Sequence, residues 1–392
     1  MGLRRKKAVQ QSRRTSSSTA SRIYSRDNVA RYAERSRQRR RGRIIRRTVL
    51  GVLLAFLVTA GTATAMWFNS IVARLSDAGI ITPELQAVLV DSDVAREPFY
   101  MLLLGTDGRP GETSYRADTI ILARIDPTEQ QVTLISIPRD TRITYKGETM
   151  KINAAHTEEG AAGMVEAVNE LCGIEISHYA EISFDGLVQL VDALGGVEVN
   201  VPDEIDDPKA ADFTIEPGLQ TLNGEQALAF CRSRAFADGD YTRMRHQRIF
   251  VAALANTILN KTDATQLPGI IDAMADMVAT DLSLPDILSL ANAMRGMDTD
   301  SMWTANIPSH AGGDTYINGV SYVFVHEEEL EEMMARVDAG EDPEGPQSGL
   351  SLDSGSSTTI GDLSNNEAND WANGTATTSG SSSEDESAES GE

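Results

Sequence analysis

One stretch limits every fold open to this chain. "TVLGVLLAFLVTAGTATAMWF", Thr48 to Phe68, carries no charge and is long enough to cross roughly 30 Å of hydrocarbon as a helix. Such a run divides a protein, so the parts before and after it must be built separately. Residues 1–47 hold 17 Lys/Arg against Asp27 and Glu34, and of the chain's 35 basic and 58 acidic residues only 18 basic but 56 acidic ones follow. Arg43, Arg46 and Arg47 flank one edge of the run, and Trp67 sits at the other, where an interfacial aromatic belongs. The bias predicts a retained single-pass anchor at 48–68, a cytoplasmic N-terminus and an extracytoplasmic remainder. Ala63-Thr64-Ala65 has the small-x-small form of a signal-peptidase site, but the apolar run exceeds the roughly 7–15 residues of a signal h-region.

The first 47 residues are rich in Ser and Arg and lack hydrophobic periodicity, which predicts a disordered cytoplasmic arm drawn to anionic membrane lipids, with no nucleic-acid partner. Residues 69–96 read as a helical or irregular stalk, 97–340 as the extracytoplasmic domain, and 341–392 as a disordered acidic Ser/Gly-rich tail.

Within the domain, "FYMLLLG", "DTIILARI", "QVTLISI", "HYAEIS" and "GVEVNV" read as strands. "GMVEAVNEL", "FDGLVQLVDAL", "TRMRHQRIFVAALANTILN", "LPGIIDAMADMVA", "LPDILSLANAM" and "EEELEEMMARV" have helical spacing. The expected class is α/β, with a mixed central β-sheet covered by helices.

Charges gather where three strands should meet. The first strand ends "LLLGTDGR", the second begins "RADT" and the third ends "SIPRD". A short "DPTEQQ" link fits an antiparallel hairpin between the second and third. That up-and-down pairing brings Asp107, Arg116, Asp118, Arg139 and Asp140 to one end of the sheet. Each is costly to bury unless paired or ligated, and surface ion pairs would account for any one of them. Together, carboxylates among guanidiniums suit a divalent cation bridged to phosphates. A second basic group lies in "CRSRAFADGDYTRMRHQR", which has five arginines between Arg232 and Arg248. Arg243 and Gln247, four residues apart, share a helix face near Asp240. In an acidic domain, a polyanionic ligand accounts for this excess.

Cys172 and Cys231 both fall in the part expected outside, where disulfides form. A Cys172–Cys231 disulfide and two isolated thiols both fit the sequence.

These segments, with "KINAAH", "ISHYAEISFDGLVQLVDALGGVEVNVP", "PGLQTLNGEQALAFCRSR" and "DYTRMRHQR", stand in the order of the LytR-CpsA-Psr proteins of bacterial envelopes, which the chain resembles from about Phe99 to Leu330. The resemblance implies a domain enclosing a long apolar pocket for a polyprenyl chain, with a pyrophosphate at its mouth. It implies transfer of a glycopolymer from that polyprenyl-pyrophosphate carrier to a cell-wall acceptor such as peptidoglycan. Matched residue by residue, Asp107 and Asp118 correspond to magnesium-associated aspartates. Arg116, Arg139, Arg232, Arg234, Arg243 and Gln247, with Lys151, correspond to pyrophosphate contacts. Asp107, Arg116, Asp118 and Arg139 form the implied catalytic group, in which Mg²⁺ and arginines absorb charge as the bond to the leaving lipid phosphate lengthens. Cys231 departs from the family's more usual aliphatic or aromatic residue. Hydrolysis of the polyprenyl pyrophosphate by water, and non-catalytic binding of the lipid, would use the same residues.

Overall fold

The structure, a computed structural model, describes residues 46, 48–67, 69–71, 81–108, 115–236, 238–261, 267–311, 316–345 and 358–360. The basic arm up to residue 45, part of the expected stalk, most of the "GRPGETSY" loop and nearly all of the acidic tail lie outside these residues. The chain forms two units, residues 1–69 and 70–392. Among the described residues, one helix, α1 (Thr48–Ile71), is long and apolar enough to cross a membrane, with a mean hydropathy of 2.0.

In the second unit, α2 (Pro83–Val88) precedes β1 (Phe99–Thr106), β2 (Ala117–Asp126) and β3 (Gln131–Ser136), which pair as an antiparallel meander. A hairpin of β4 (Arg142–Tyr145) and β5 (Glu148–Lys151) leads into α3 (Ile152–Cys172), then β6 (His178–Ser183) and α4 (Phe184–Ala193). A second hairpin, β7 (Val197–Val201) with β8 (Gly218–Leu222), leads to α5 (Gly224–Arg232) and α6 (Asp240–Asn256). α7 (Leu267–Met277) runs into β9 (Val278–Thr280), α8 (Leu284–Ala293) precedes β10 (Trp303–Asn306), and α9 (Glu327–Asp338) follows. The central sheet has the order Thr358–Thr359, β10, β3, β2, β1, β6, β9. β1 pairs with β6 and β3 with β10 in parallel, and the remaining pairs are antiparallel, so the sheet is mixed as expected.

Alternation along the strands makes two cores. On β2, Ile120 and Leu122 enter one cluster with Leu104, Ile135 and buried residues of α3 and α9. Ile121 and Ala123 point the other way, into a cluster with Leu134, Phe230, Phe250 and the β7–β8 hairpin. Both faces are covered, which is why the strands read as near-continuous apolar runs.

This layering rules out the Cys172–Cys231 disulfide. Cys172 is buried in the first cluster, Cys231 packs against the second, and both are free thiols. A sheet stands between groups that would need Cα atoms within about 7 Å. Burial pushes the Cys172 thiol up to about 12 and raises that of Cys231 further. Without reductant, iodoacetamide is expected to leave Cys172 unmodified in the native protein and to alkylate both thiols in guanidinium chloride; mass analysis showing neither alkylated in the denaturant would restore the disulfide.

Three boundaries differ from the expected ones. Leu85 is fully buried in the first core and the Val90 N–H donates to the Ile176 carbonyl at 3.1 Å, so the stalk gives way to the domain before Glu97. The end of "LPGIIDAMADMVA" leaves the helix at Val278 to pair with β6. From the tail, Thr358–Thr359 adds a short edge strand beside β10 and Ile360 is buried, a triplet of β-branched residues suited to a sheet.

Candidate functional site

The meander delivers the predicted charges to one end of the sheet. β1 and β2 shift register between Gly105 and Thr106, a bulge just before Asp107. A Cβ on Gly105 would lie 2.9 Å from the Thr119 Cβ, so only glycine lets the strands close there. Three residues on, Gly108 packs against Tyr115, whose ring a Cβ would meet at 2.7 Å. This contact joins the two ends of the segment that carries Asp107 and Arg116. The Arg116 N–H also donates to Asp107 Oδ1 at 3.3 Å.

Below that segment lies a buried network the sequence did not announce. Glu181 on β6 accepts from Tyr179 Oη at 2.6 Å and Thr106 Oγ1 at 3.1 Å, with His156 Nε2 at 3.4 Å. On its other side, His156 Nδ1 meets the Tyr115 carbonyl at 3.2 Å. Burial works against ionisation of Glu181, but His156, Tyr179 and Tyr115 outweigh it and hold the carboxyl below the usual range. One anion thereby fixes the residue before Asp107 and, through His156, the residue before Arg116.

A cavity of about 800 Å³ opens here, between the second face of the sheet and helices α4, α5 and α6. Leu103, Ile121, Ile182, Leu187, Leu228, Phe250, Val251 and Leu254 supply apolar wall; Asp107, Asp118, Arg139, Arg232, Arg234, Arg243 and Gln247 also line it. Arg116 is exposed and Lys151 is engaged with Asp140 at 2.8 Å; neither lines the cavity. Asp185, Asp207 and Lys209 line it without having been singled out in the sequence.

Each arginine is held differently. Arg139 Nη1 pairs with Asp118 Oδ1. Burial opposes its charge, but the Asp118 carboxylate prevails and raises the guanidinium above its ordinary value. Arg232, the last residue of α5, lies with its guanidinium carbon 5.1 Å from the centre of the Phe184 ring. Arg234 is steered from its backbone. Asp207 accepts from the Arg234 N–H at 2.9 Å and from Ser233 Oγ at 3.2 Å, and these bonds, the Arg234 amide foremost, lower the Asp207 carboxyl. Asp240, at the start of α6, pairs with Arg234 Nε at 3.2 Å and Arg243 Nη2 at 3.0 Å. Gln247, one turn beyond Arg243, donates to the Cys231 carbonyl at 3.1 Å and ties α6 to the end of α5.

Arg243 is only 4% exposed. Burial pushes its guanidinium down to about 10, against the pull of Asp240, and Arg234 and Arg139 add to the push. Among the described residues, the Nε atoms of Arg139 and Arg243 are buried without an acceptor. A buried donor left unsatisfied costs roughly 1–3 kcal/mol, more when charged. The neighbouring His246 is buried and stacked on Phe230, with ring centres 4.5 Å apart. Burial pushes it down to about 3, so it adds no charge at neutral pH. The mouth is thus a set of fixed cations over an apolar cavity, chemically matched to an amphiphile with a strongly anionic head.

Comparison with known proteins agrees with that chemistry. The model of the LytR_cpsA_psr family matches residues 77–339. The chain is 32% identical over 297 residues to the polyisoprenyl-teichoic acid–peptidoglycan teichoic acid transferase TagU of Enterococcus faecalis, covering 74% of this chain and 95% of that protein. It is 36% identical over 224 residues to the probable cell wall biosynthesis protein LcpB of Corynebacterium glutamicum, covering 54% and 51%. Among solved structures it resembles Bacillus subtilis TagV, with a TM-score of 0.55 and 27% identity, covering 62% of this chain and 97% of that one. It also resembles TagT bound to LIIa-WTA, with a TM-score of 0.54 and 25% identity, covering 64% and 94%. The family match spans about two thirds of the chain and encloses every residue lining the cavity, and the chain belongs to the LytR_cpsA_psr family.

Proposed function

We propose that this chain transfers a glycopolymer from a polyprenyl-pyrophosphate carrier to an envelope acceptor, with peptidoglycan as the first candidate. The carrying observation is one cavity that joins an apolar wall to a mouth lined by four arginines, Arg139, Arg232, Arg234 and Arg243. The lipid tail occupies the wall region, and the pyrophosphate is received among the guanidiniums of Arg139 and Arg243, with Arg232 and Arg234 closing on it from the end of α5.

The acceptor hydroxyl attacks the phosphorus that bears the glycan, and its proton passes to a carboxylate at the mouth. The P–O bond to the lipid phosphate breaks and polyprenyl phosphate leaves, so the glycan is joined to its acceptor through a phosphodiester. Negative charge builds on the leaving phosphate as that bond lengthens, and guanidiniums already held at the mouth stabilise it. Asp107 and Asp118 offer oxygen donors at the same mouth, and among the described residues no group of three or more His, Cys, Asp or Glu could hold a metal alone. Two carboxylates with phosphate and water completing the shell suit Mg²⁺, which would neutralise pyrophosphate charge when bound.

The charge bias flanking α1 supports an arm before Thr48 on the cytoplasmic side and a catalytic domain outside the cell membrane. Protease added to intact spheroplasts should digest the domain and spare the arm; the reverse would overturn this orientation. For the site itself, the full-length protein in detergent should bind a prenyl pyrophosphate at least roughly tenfold more tightly than the corresponding prenyl alcohol. EDTA should reduce that preference and added Mg²⁺ restore it. Equal affinity for the two lipids would contradict a pyrophosphate site, and an unchanged preference in EDTA would remove the metal.

A further inference from the structure

A second constellation stands at the other end of β6. His178, the first residue of that strand, is five residues from Ser183 at the cavity end, roughly 16 Å along an extended chain. Ser92 Oγ lies 2.9 Å from His178 Nε2, and His178 Nδ1 lies 2.7 Å from Asp281 Oδ2. A carboxylate only accepts, so Asp281 fixes the proton on Nδ1 and leaves Nε2 to receive the Ser92 hydroxyl proton. Asp281 is itself oriented by the Tyr179 N–H, which donates to its Oδ1 at 2.6 Å. The Phe99 ring packs edge-on against the imidazole with centres 5.2 Å apart. Serine, imidazole and carboxylate thus stand in the relation of a hydrolytic triad, which is recognised by geometry and roles rather than by order along the chain.

Two features go beyond a hydrogen-bonded strap. The serine is accessible, lining an open groove of about 610 Å³ on the surface. In addition, the amide after it is already holding an anion, since the Asp93 N–H donates to Glu97 Oε1 at 2.6 Å and the Glu97 side chain is exposed. The amide following a nucleophilic serine is a usual oxyanion donor. Here a displaceable carboxylate stands where a developing oxyanion would be received.

We propose that Ser92, His178 and Asp281 form a second, esterolytic site. Ser92 Oγ attacks an ester carbonyl carbon while its proton moves to His178 Nε2. The carbonyl oxygen takes the place of Glu97 on the Asp93 amide. The C–O bond to the alcohol breaks, the alcohol leaves with the proton from His178, and water then hydrolyses the acyl-serine to free the acid. Among the described residues, Asp91, Asp93, Glu97 and Asp286 line the groove with Arg96 as the one cation, and Arg96 is paired with Asp93 at 3.3 Å. That balance selects an ester carrying an ammonium group, such as an aminoacyl ester.

The test is to treat the detergent-solubilised full-length protein with a fluorophosphonate probe and to map the adduct by mass spectrometry. Labelling is expected at Ser92, absent in Ser92→Ala, at least roughly tenfold slower in Asp281→Asn and faster in Glu97→Gln. Thermal scans of Ser92→Ala and Asp281→Asn confirm folding. Glycine p-nitrophenyl ester should be cleaved faster than p-nitrophenyl acetate, and Arg232→Ala should leave both rates unchanged. No Ser92 adduct under conditions that fully label a control serine hydrolase, or equal labelling in a folded Asp281→Asn variant, would overturn the site. Preference for the neutral ester would overturn the substrate class.

Discussion

Replacing Arg232 and Arg234 together by alanine is expected to lower glycopolymer transfer by on the order of 10³-fold, while Tm moves by no more than a few degrees. Both side chains are exposed. Arg234 shares Asp240 with Arg243 through a partly exposed pair, and such pairs contribute about 0–1 kcal/mol. Arg232 rests on Phe184, an exposed cation–π contact worth about 0.5–1 kcal/mol. The fold therefore loses little. The reaction loses two fixed cations next to the breaking P–O bond, and removing a single preorganised donor typically costs about 10²–10³ in rate. The prenyl tail should still bind, because its apolar contacts are untouched. Lysine at both positions should recover only part of the rate, since a point charge does not reproduce the guanidinium fork. Collapse of Tm, or transfer at the wild-type rate, would make these arginines scaffold.

Arg243→Met should separate activity from stability in the opposite sense. The guanidinium is buried, and its value near 10 lies below the ordinary one, so the fold binds that proton less tightly than the unfolded chain does. At neutral pH, below both values, the charge therefore destabilises the fold, by on the order of 3 kcal/mol, and the burden lifts only as pH rises through about 10. A methionine of similar length keeps the packing, and Asp240 retains Arg234 as its partner. Tm is expected to rise by several degrees while transfer falls by roughly 10²-fold or more, the exchange of stability for function seen where active sites hold unfavourable charge. A prenyl pyrophosphate should then raise the Tm of wild type more than that of the variant. A variant that melts well below wild type would show that Arg243 supports the fold.

The sheet was legible because its strands are buried on both faces. "FYMLLLG", "DTIILARI" and "QVTLISI" leave little choice but adjacent central strands, and the short link after Asp126 sets their antiparallel order. That order alone carries Asp107, Asp118 and Arg139 to one rim. The helical spacing of Arg243 and Gln247 likewise survives intact, since four residues is one turn. What stayed hidden depends on contacts distant in sequence. Glu181 reads as one polar residue in the strand "HYAEIS", and only the packing of α3 beside β6 gives it His156. Asp207 is lost in the acidic run "DEIDDPKAAD", although it accepts from the Arg234 amide. Lys151, in "KINAAH", is close in sequence to the site but turns to Asp140. The cysteine pairing stayed open for the same reason, because shared compartment says nothing about which face of a sheet each thiol occupies.

The most direct test is single-turnover reaction of the purified full-length protein with a synthetic polyprenyl-pyrophosphate-linked glycan, Mg²⁺ and peptidoglycan fragments, following both products. Polyprenyl phosphate should appear at the same rate as glycan joined to the fragments through a phosphodiester, and both should be lost in the Arg232→Ala/Arg234→Ala variant. Release of polyprenyl phosphate at the same rate without acceptor, with free glycan phosphate as the partner product, would identify a hydrolase, and binding of the lipid with no turnover would identify a carrier; either would contradict a transferase.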